Sequence, residues 1–119
     1  MEKLEIAREL GSEGKATILR LRGPFTIATL FTLEDSFRQV GCVDTVIDIS
    51  EVPFLDSAAL GAVLSHWAYA QRAGHKFAMT GASPHVEALL EVTKMNSILP
   101  TFRTAEQADR SFAGEASKV

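Results

Sequence analysis

Thr45-Val46-Ile47-Asp48-Ile49-Ser50-Glu51-Val52-Pro53-Phe54-Leu55-Asp56-Ser57-Ala58-Ala59-Leu60-Gly61 is the stretch on which the fold turns. From Thr45 to Ile49 it is rich in β-branched apolar residues, which fits a strand buried on both faces. Pro53 marks a short connection. Asp56-Ser57 then precedes an unbroken helical pattern. Asp and Ser cap helix starts because their side-chain oxygens accept from orphan backbone N–H groups. Ser57 is therefore expected at the mouth of a helix, just past the end of a central strand. Open α/β sheets place their functional loops there.

Downstream, the helix is expected to run to about Ala73 and stop at Gly74, with Leu60, Val63, Leu64, Trp67 and Ala70 as its apolar stripe. Lys76 to Thr80 reads as a strand. Gly81-Ala82-Ser83-Pro84 supplies a turn, a cap and a first-turn proline for a helix reaching about Lys94. Ile98 to Phe102 reads as a last strand, which Pro100 confines to a sheet edge. Thr104-Ala105-Glu106-Gln107 is a capping box opening a final helix.

Upstream, Leu4 to Leu10 alternates, with Leu4, Ile6 and Arg8 on one face. Gly11-Ser12-Glu13-Gly14 is a turn, and Ala16 to Leu21 is a second strand, so the pair reads as a hairpin. After Gly23-Pro24 the period changes. Ile27, Leu30, Phe31, Leu33 or Glu34, and Phe37 recur at helical spacing and predict an amphipathic helix from Thr26 to Gln39, ended by Gly41.

The expected order is ββαβαβαβα: one α/β domain with a mostly parallel central sheet, an N-terminal β-hairpin and about four helices. Strand–helix alternation implies right-handed crossovers. The loops after the second, third and fourth strands then share one edge of the sheet. They are Gly23-Pro24-Phe25-Thr26, Pro53 to Ser57, and Gly81-Ala82-Ser83. The domain is expected over residues 1–113, with 114–119 as a flexible tail.

The 119 residues suffice for one core, and 46% apolar with 23% charged is ordinary for a soluble globular domain. A net charge of −3 and no Lys/Arg run argue against direct nucleic-acid binding. No apolar stretch approaches a membrane span, and Met1 to Glu5 holds no signal core. The one cysteine, Cys42, has no internal disulfide partner and no cage of metal ligands. These features predict a cytoplasmic protein without membrane insertion, in which Cys42 is a small half-buried residue.

Three histidines raise the question of an enzyme. His66 stands nine residues beyond Ser57 on the same helix, or about 13.5 Å along the axis. A Ser–His catalytic pair needs about 3 Å. His75 falls past the far end of that helix, and His85 has no evident acid partner. No two histidines are four apart, so no helical metal site forms. Catalysis, a metal and a cofactor are all unexpected, and Gly81-Ala82-Ser83 has no Lys to make a phosphate loop.

Asp56-Ser57-Ala58-Ala59-Leu60-Gly61, after a strand and a Pro-containing turn, resembles the signature of STAS domains, and more closely that of bacterial anti-sigma factor antagonists. The likeness runs from Gly23 to Ala108. It includes Gly74-His75-Lys76-Phe77, Gly81-Ala82-Ser83-Pro84-His85-Val86, and Phe102-Arg103-Thr104-Ala105-Glu106-Gln107-Ala108. The resemblance implies a monomer or weak dimer that binds an anti-sigma factor. That partner is also a serine kinase with a histidine-kinase-like ATP-binding fold. Ser57 is then the phosphorylation site: modification ends binding, a PP2C-like phosphatase restores it, and the unmodified protein frees the sigma factor for transcription. Two features depart from the family pattern. Ala59 stands where Gly is frequent, and Gly23-Pro24-Phe25-Thr26 lacks the acidic residues frequent in that loop.

Ser57 can be read as a phosphoacceptor or simply as a helix cap. Asp56 reads equally as a cap and as a partner contact or an orienter of Ser57. Ala58, Gly61, Ala62 and Ser65 form a small-residue face, suited either to packing on the sheet or to docking beside Ser57. The docking reading is preferred because the apolar stripe already supplies the core. Thr26 and Ser83 join the expected partner-binding set through the shared edge. A second function stays open: a stand-alone adaptor subunit of an ABC-type lipid transporter, which needs no phosphorylation.

Overall fold

The computed structural model describes residues 3–41 and 43–116, with side chains described as far as residue 114 at the C-terminal end. The expected half-burial of Cys42 falls outside these residues. The strands are β1 (Glu5–Leu10), β2 (Thr17–Arg22), β3 (Thr45–Glu51), β4 (Phe77–Thr80) and β5 (Thr101–Phe102). The helices are α1 (Leu30–Val40), α2 (Ser57–Ala73), α3 (Pro84–Val92) and α4 (Ala105–Ala116). The five strands lie in the order β1-β2-β3-β4-β5, so β3 is central. β1 pairs antiparallel with β2, and every other pair is parallel. This is the hairpin-plus-parallel sheet expected from the sequence.

Period-two alternation sorts β3 between two cores. Ile47 and Ile49, with Leu19, Leu21, Phe77 and Met79, meet α1, α2 and α3 on one face. Val46, with Ile18 and Ala78, meets Ala105, Ala108 and Phe112 of α4 on the other. Every residue from Thr45 to Ile49 is buried, as a central parallel strand requires.

One of those buried residues is charged. Asp48 sits beside Arg20 in the β2–β3 register and beside Thr80 in the β3–β4 register. Arg20 Nη1 donates to Asp48 Oδ2 at 2.7 Å, while its other nitrogens reach Glu9 and Glu106, both at 2.6 Å. These contacts hold the guanidinium firmly protonated: Glu9 contributes most, burial opposes, and Glu106 and Asp48 add to the rise.

α2 spans the expected residues and ends on Gly74 in the left-handed region. Ala59, Leu60, Val63 and Ala70 are buried, whereas Leu64 and Trp67 are half-buried. Trp67 packs against the core with its indole Nε1 buried and unpartnered. Ser83 caps α3 by accepting from Val86 N at 3.3 Å, and Thr104 caps α4 by accepting from Gln107 N at 3.1 Å.

Three elements differ from expectation. α1 begins at Leu30 rather than Thr26. Thr29 Oγ1 accepts from Thr26 N at 3.0 Å and donates to Pro24 O at 2.8 Å, which stabilises a turn over the first four expected helical residues. Ile27 and Phe31 are consequently not core residues but are 72% and 77% exposed. β5 is shorter than expected, because Met95–Ser97 forms a turn of 3-10 helix and only Thr101–Phe102 pairs, at the sheet edge. α4 continues through Ala116, past the expected end of the domain at residue 113.

Candidate functional site

The parallel run β2-β3-β4 brings the loops after those strands to one edge. Two of them are tied together. Phe25 and Leu55 form an isolated parallel bridge, with Phe25 N donating to Phe54 O at 2.9 Å and Asp56 N donating to Phe25 O at 3.3 Å. Gly81, in the third loop, approaches β3 so closely that an added Cβ would lie 2.7 Å from Ser50 Cβ and 2.8 Å from Asp48 Oδ1. Its φ of +77° also suits glycine.

Asp56, not Ser57, is the N-cap of α2. Its Oδ1 accepts from Ala59 N at 2.9 Å. Its Oδ2 accepts from Ile27 N at 3.0 Å, across to the turn before α1. These donors hold the carboxyl below its ordinary pKa, with Ala59 N–H contributing most and Ile27 N–H next. Ser57 is thereby relieved of capping. It is the first residue of α2, and it is exposed.

The small-residue face does not pack on the sheet at Gly61: a Cβ added there would meet nothing within 4 Å. Ala58, Gly61 and Ala62 are half-buried and Ser65 is exposed. Thr26 is half-buried, and Ser83 is exposed at the mouth of α3. The fold thus carries the Thr26, Ser57 and Ser83 loops on one edge of the sheet. Ala58, Gly61, Ala62 and Ser65 continue from Ser57 along α2.

Charge is sparse here. Gly23 to Leu33 contains no charged residue, and Asp56 is the one charged residue from Val52 to Ser65. Exposed apolar side chains occupy the segments that meet at the Asp56–Ile27 contact: Ile27, Phe31 and Phe54, the last 58% exposed. The sequence reading missed the exposure of Ile27 and Phe31 because it assigned both to the apolar stripe of an amphipathic helix. The cluster Thr26-x-x-Thr29 was the signal that could have placed a turn there.

His66 hydrogen-bonds Glu34 Oε2 at 3.1 Å and stacks on Phe37 with ring centroids 3.7 Å apart. His75 hydrogen-bonds Asp44 at 3.2 Å, and His85 is exposed. A cavity of about 540 Å³ lies between α1 and α2, lined by Phe37, His66, Tyr69 and Phe77, away from the Ser57 mouth. Among the described residues no cluster of His, Cys, Asp or Glu could hold a metal ion. Nor is any helix of the described residues long and apolar enough to cross a membrane.

The family described as "Mlab, STAS domain" matches residues 9–100. The chain belongs to the STAS family. No curated protein matches the chain in sequence. Solved structures share the STAS fold at low identity. A Thermotoga maritima protein assigned as an anti-sigma factor antagonist superposes with a TM-score of 0.79 at 20% identity, over 90% of this chain and 93% of that one. The Bacillus cell-fate determinant SpoIIAA in its phosphorylated form gives 0.65 at 14% identity, over 90% and 99%. A murine Solute Carrier 26 family anion transporter gives 0.71 at 11% identity, over 98% of this chain and 22% of the transporter. STAS domains are generally binding modules rather than enzymes. In this one, the exposed edge with Ser57 at its centre is the candidate interaction site.

Proposed function

We propose that this STAS domain is an anti-sigma factor antagonist: it binds an anti-sigma factor with serine-kinase activity and loses that partner when Ser57 is phosphorylated. The observation that carries this is Ser57 itself, exposed at the first position of α2 and freed from capping by Asp56. A kinase can reach such a hydroxyl without unfolding the helix. The phosphate would add about −1.5 to −2 charges at the positive end of the helix dipole.

The partner surface comprises Ser57, Ala58, Gly61, Ala62 and Ser65 on α2, with Asp56, Thr26 and Ser83 at the shared edge. Ile27, Phe31 and Phe54 extend it with apolar area. A charge placed in a nearly uncharged contact has to be desolvated on docking, which is how phosphate would expel the partner. The other elements of the cycle are a PP2C-like phosphatase and a cytoplasmic setting. Phosphorylated SpoIIAA, a protein of the same fold, supports a modification switch on this scaffold.

A second reading is a stand-alone adaptor of an ABC-type lipid transporter, without phosphorylation. The family description and the anion-transporter domain of the same fold favour it. Affinity capture on immobilised wild type and Ser57→Asp separates the two. A kinase-like partner released by Ser57→Asp supports the antagonist. A transporter ATPase retained equally by both proteins supports the adaptor.

A further inference from the structure

Asp56 spends both carboxylate oxygens within the protein, and on two different elements. Oδ1 holds Ala59 N–H in the first turn of α2, and Oδ2 holds Ile27 N–H in the turn before α1. Phe25, two residues before Ile27, is fully buried and bridged to Leu55, so its position is fixed by packing. Leu30 opens α1. Between these anchors the turn Thr26 to Thr29 is joined to α2 through Ile27 N–H. The turn that carries the exposed Ile27 side chain is braced within itself by Thr29, and its tie to α2 is one charge-assisted hydrogen bond, donated by Ile27 N–H to the carboxylate of the residue preceding Ser57.

We propose that Asp56 is a clasp that positions Ile27 within the partner-facing surface, and that a phosphate on Ser57 opens the clasp. The proposal rests on the reading of Ser57 as a phosphoacceptor and adds a change of shape to the change of charge. Its physical basis is competition at one helix end. Ala58 and Ala59 bring their N–H groups there, and Asp56 already accepts from Ala59 N–H. A phosphate brings about −1.5 to −2 charges and three acceptor oxygens to the adjacent residue. It repels the single charge of Asp56 and competes for the same donors. The bond to Ile27 is the one that yields, because it is solvent-facing and joins a separate element, whereas the cap bond lies within α2. The Ile27 turn then loses its tether while Phe25 and α1 stay in place.

Nuclear magnetic resonance of the Ile27 amide reads the clasp without any partner protein. The forms compared are the wild type, Asp56→Asn, Asp56→Ala, and the chain with phosphoserine installed at position 57 during synthesis. Asn is itself a preferred N-cap, yet its amide offers one acceptor oxygen where the carboxylate offers two. Asp56→Asn therefore keeps the Ala59 bond and gives up the Ile27 bond, while Asp56→Ala gives up both. The expected result is an Ile27 amide proton that moves upfield and exchanges at least tenfold faster in Asp56→Asn and in the phosphoserine form. Ile47, in the central strand, should be unchanged and reports an intact fold. An Ile27 amide unaffected by phosphoserine would overturn the opening step, and one unaffected by Asp56→Asn would overturn the clasp. Failure of the phosphoacceptor reading looks different: no kinase modifies Ser57, while the amide result from synthetic phosphoserine stands.

Discussion

The carboxylate of Asp48 lies 2.7 Å from the guanidinium of Arg20, side by side across the β2–β3 ladder. Asp48 is 5% exposed on the central strand, so its charge is tolerable only while Arg20, Ser50 and Thr80 satisfy it. Breaking a buried pair costs about 3–5 kcal/mol because one charge is stranded. The Arg20 side chain is 28% exposed, which lowers the expectation to roughly 2–3 kcal/mol for Arg20→Met. Adding Asp48→Val should recover much of that loss, since apolar replacements of buried pairs are often neutral or better. Urea titrations of the two single variants and the double variant check this. Equal stability of Arg20→Met and wild type would show that the pair contributes nothing.

Asp109 is the second buried carboxylate, 2% exposed. It accepts from the backbone N–H groups of Glu13, Gly14 and Ala16 and so fastens the β1–β2 turn to α4. Burial pushes its carboxyl up, but those three donors and Lys15 outweigh burial and leave it below its ordinary value. A depressed folded pKa means stability that is fully present above the unfolded value, about 3.9 for Asp, and lost as pH falls through the folded value. Asp109→Ala should cost about 3 kcal/mol at neutral pH by leaving donors unpaired. Its gap from wild type should hold from about pH 5 to 8 and shrink below about pH 4. Unfolding curves across that range test both parts, and a gap that widens with acid would reverse the sign.

Much of the fold was legible because its signals are local. The β-branched run of β3, Gly74 after α2, Ser83-Pro84 before α3 and Thr104 before α4 each act within a few residues. What was not legible depends on register or distance. Asp48 reads as an interruption of an apolar run until the ladder places Arg20 beside it, 28 positions away. Asp109 serves a turn more than 90 positions upstream. At the site, the sequence located the mouth of α2 but left Asp56 and Ser57 to share the capping role. The N-cap differs from the first helical residue in its backbone, which at Asp56 is still extended (φ −101°, ψ 176°), and the residue pair Asp-Ser does not encode which of the two takes that conformation. Ile27 and Phe31 keep helical spacing with Leu30, yet the hydroxyl of Thr29 diverts the chain into a turn before the helix starts.

Trp67 carries a buried indole N–H without a partner. A buried unpaired donor costs about 1–3 kcal/mol, and Trp67→Phe removes it at the expense of some packing. The two effects oppose, so the variant should stay within about 1 kcal/mol of wild type. A loss above about 3 kcal/mol in thermal or urea unfolding would mean that packing of the full indole dominates.

Gly61 separates stability from docking. A methyl group there meets open space, and Ala in a helix interior is favoured over Gly by about 0.8–1 kcal/mol. Gly61→Ala should therefore raise stability by about that amount. Gly61→Leu should fold equally well and weaken partner binding by at least tenfold if this face docks. Unchanged affinity for Gly61→Leu would remove the small-residue face from the interface.

Ser57 is the residue through which partner binding is switched in this account. The most direct measurement is the affinity of the captured anti-sigma kinase for this domain before and after reaction with Mg-ATP, with the modified residue mapped by mass spectrometry. The account predicts phosphate at Ser57 and at no other residue, with a loss in affinity of at least tenfold, or about 1.4 kcal/mol. Ser57→Ala should bind like the unmodified protein and stay bound in the presence of ATP. Its fold should be intact, since an exposed first-turn Ser that does not cap contributes little. Equal affinity before and after treatment, with no phosphate on Ser57, would contradict the account and favour the transporter adaptor.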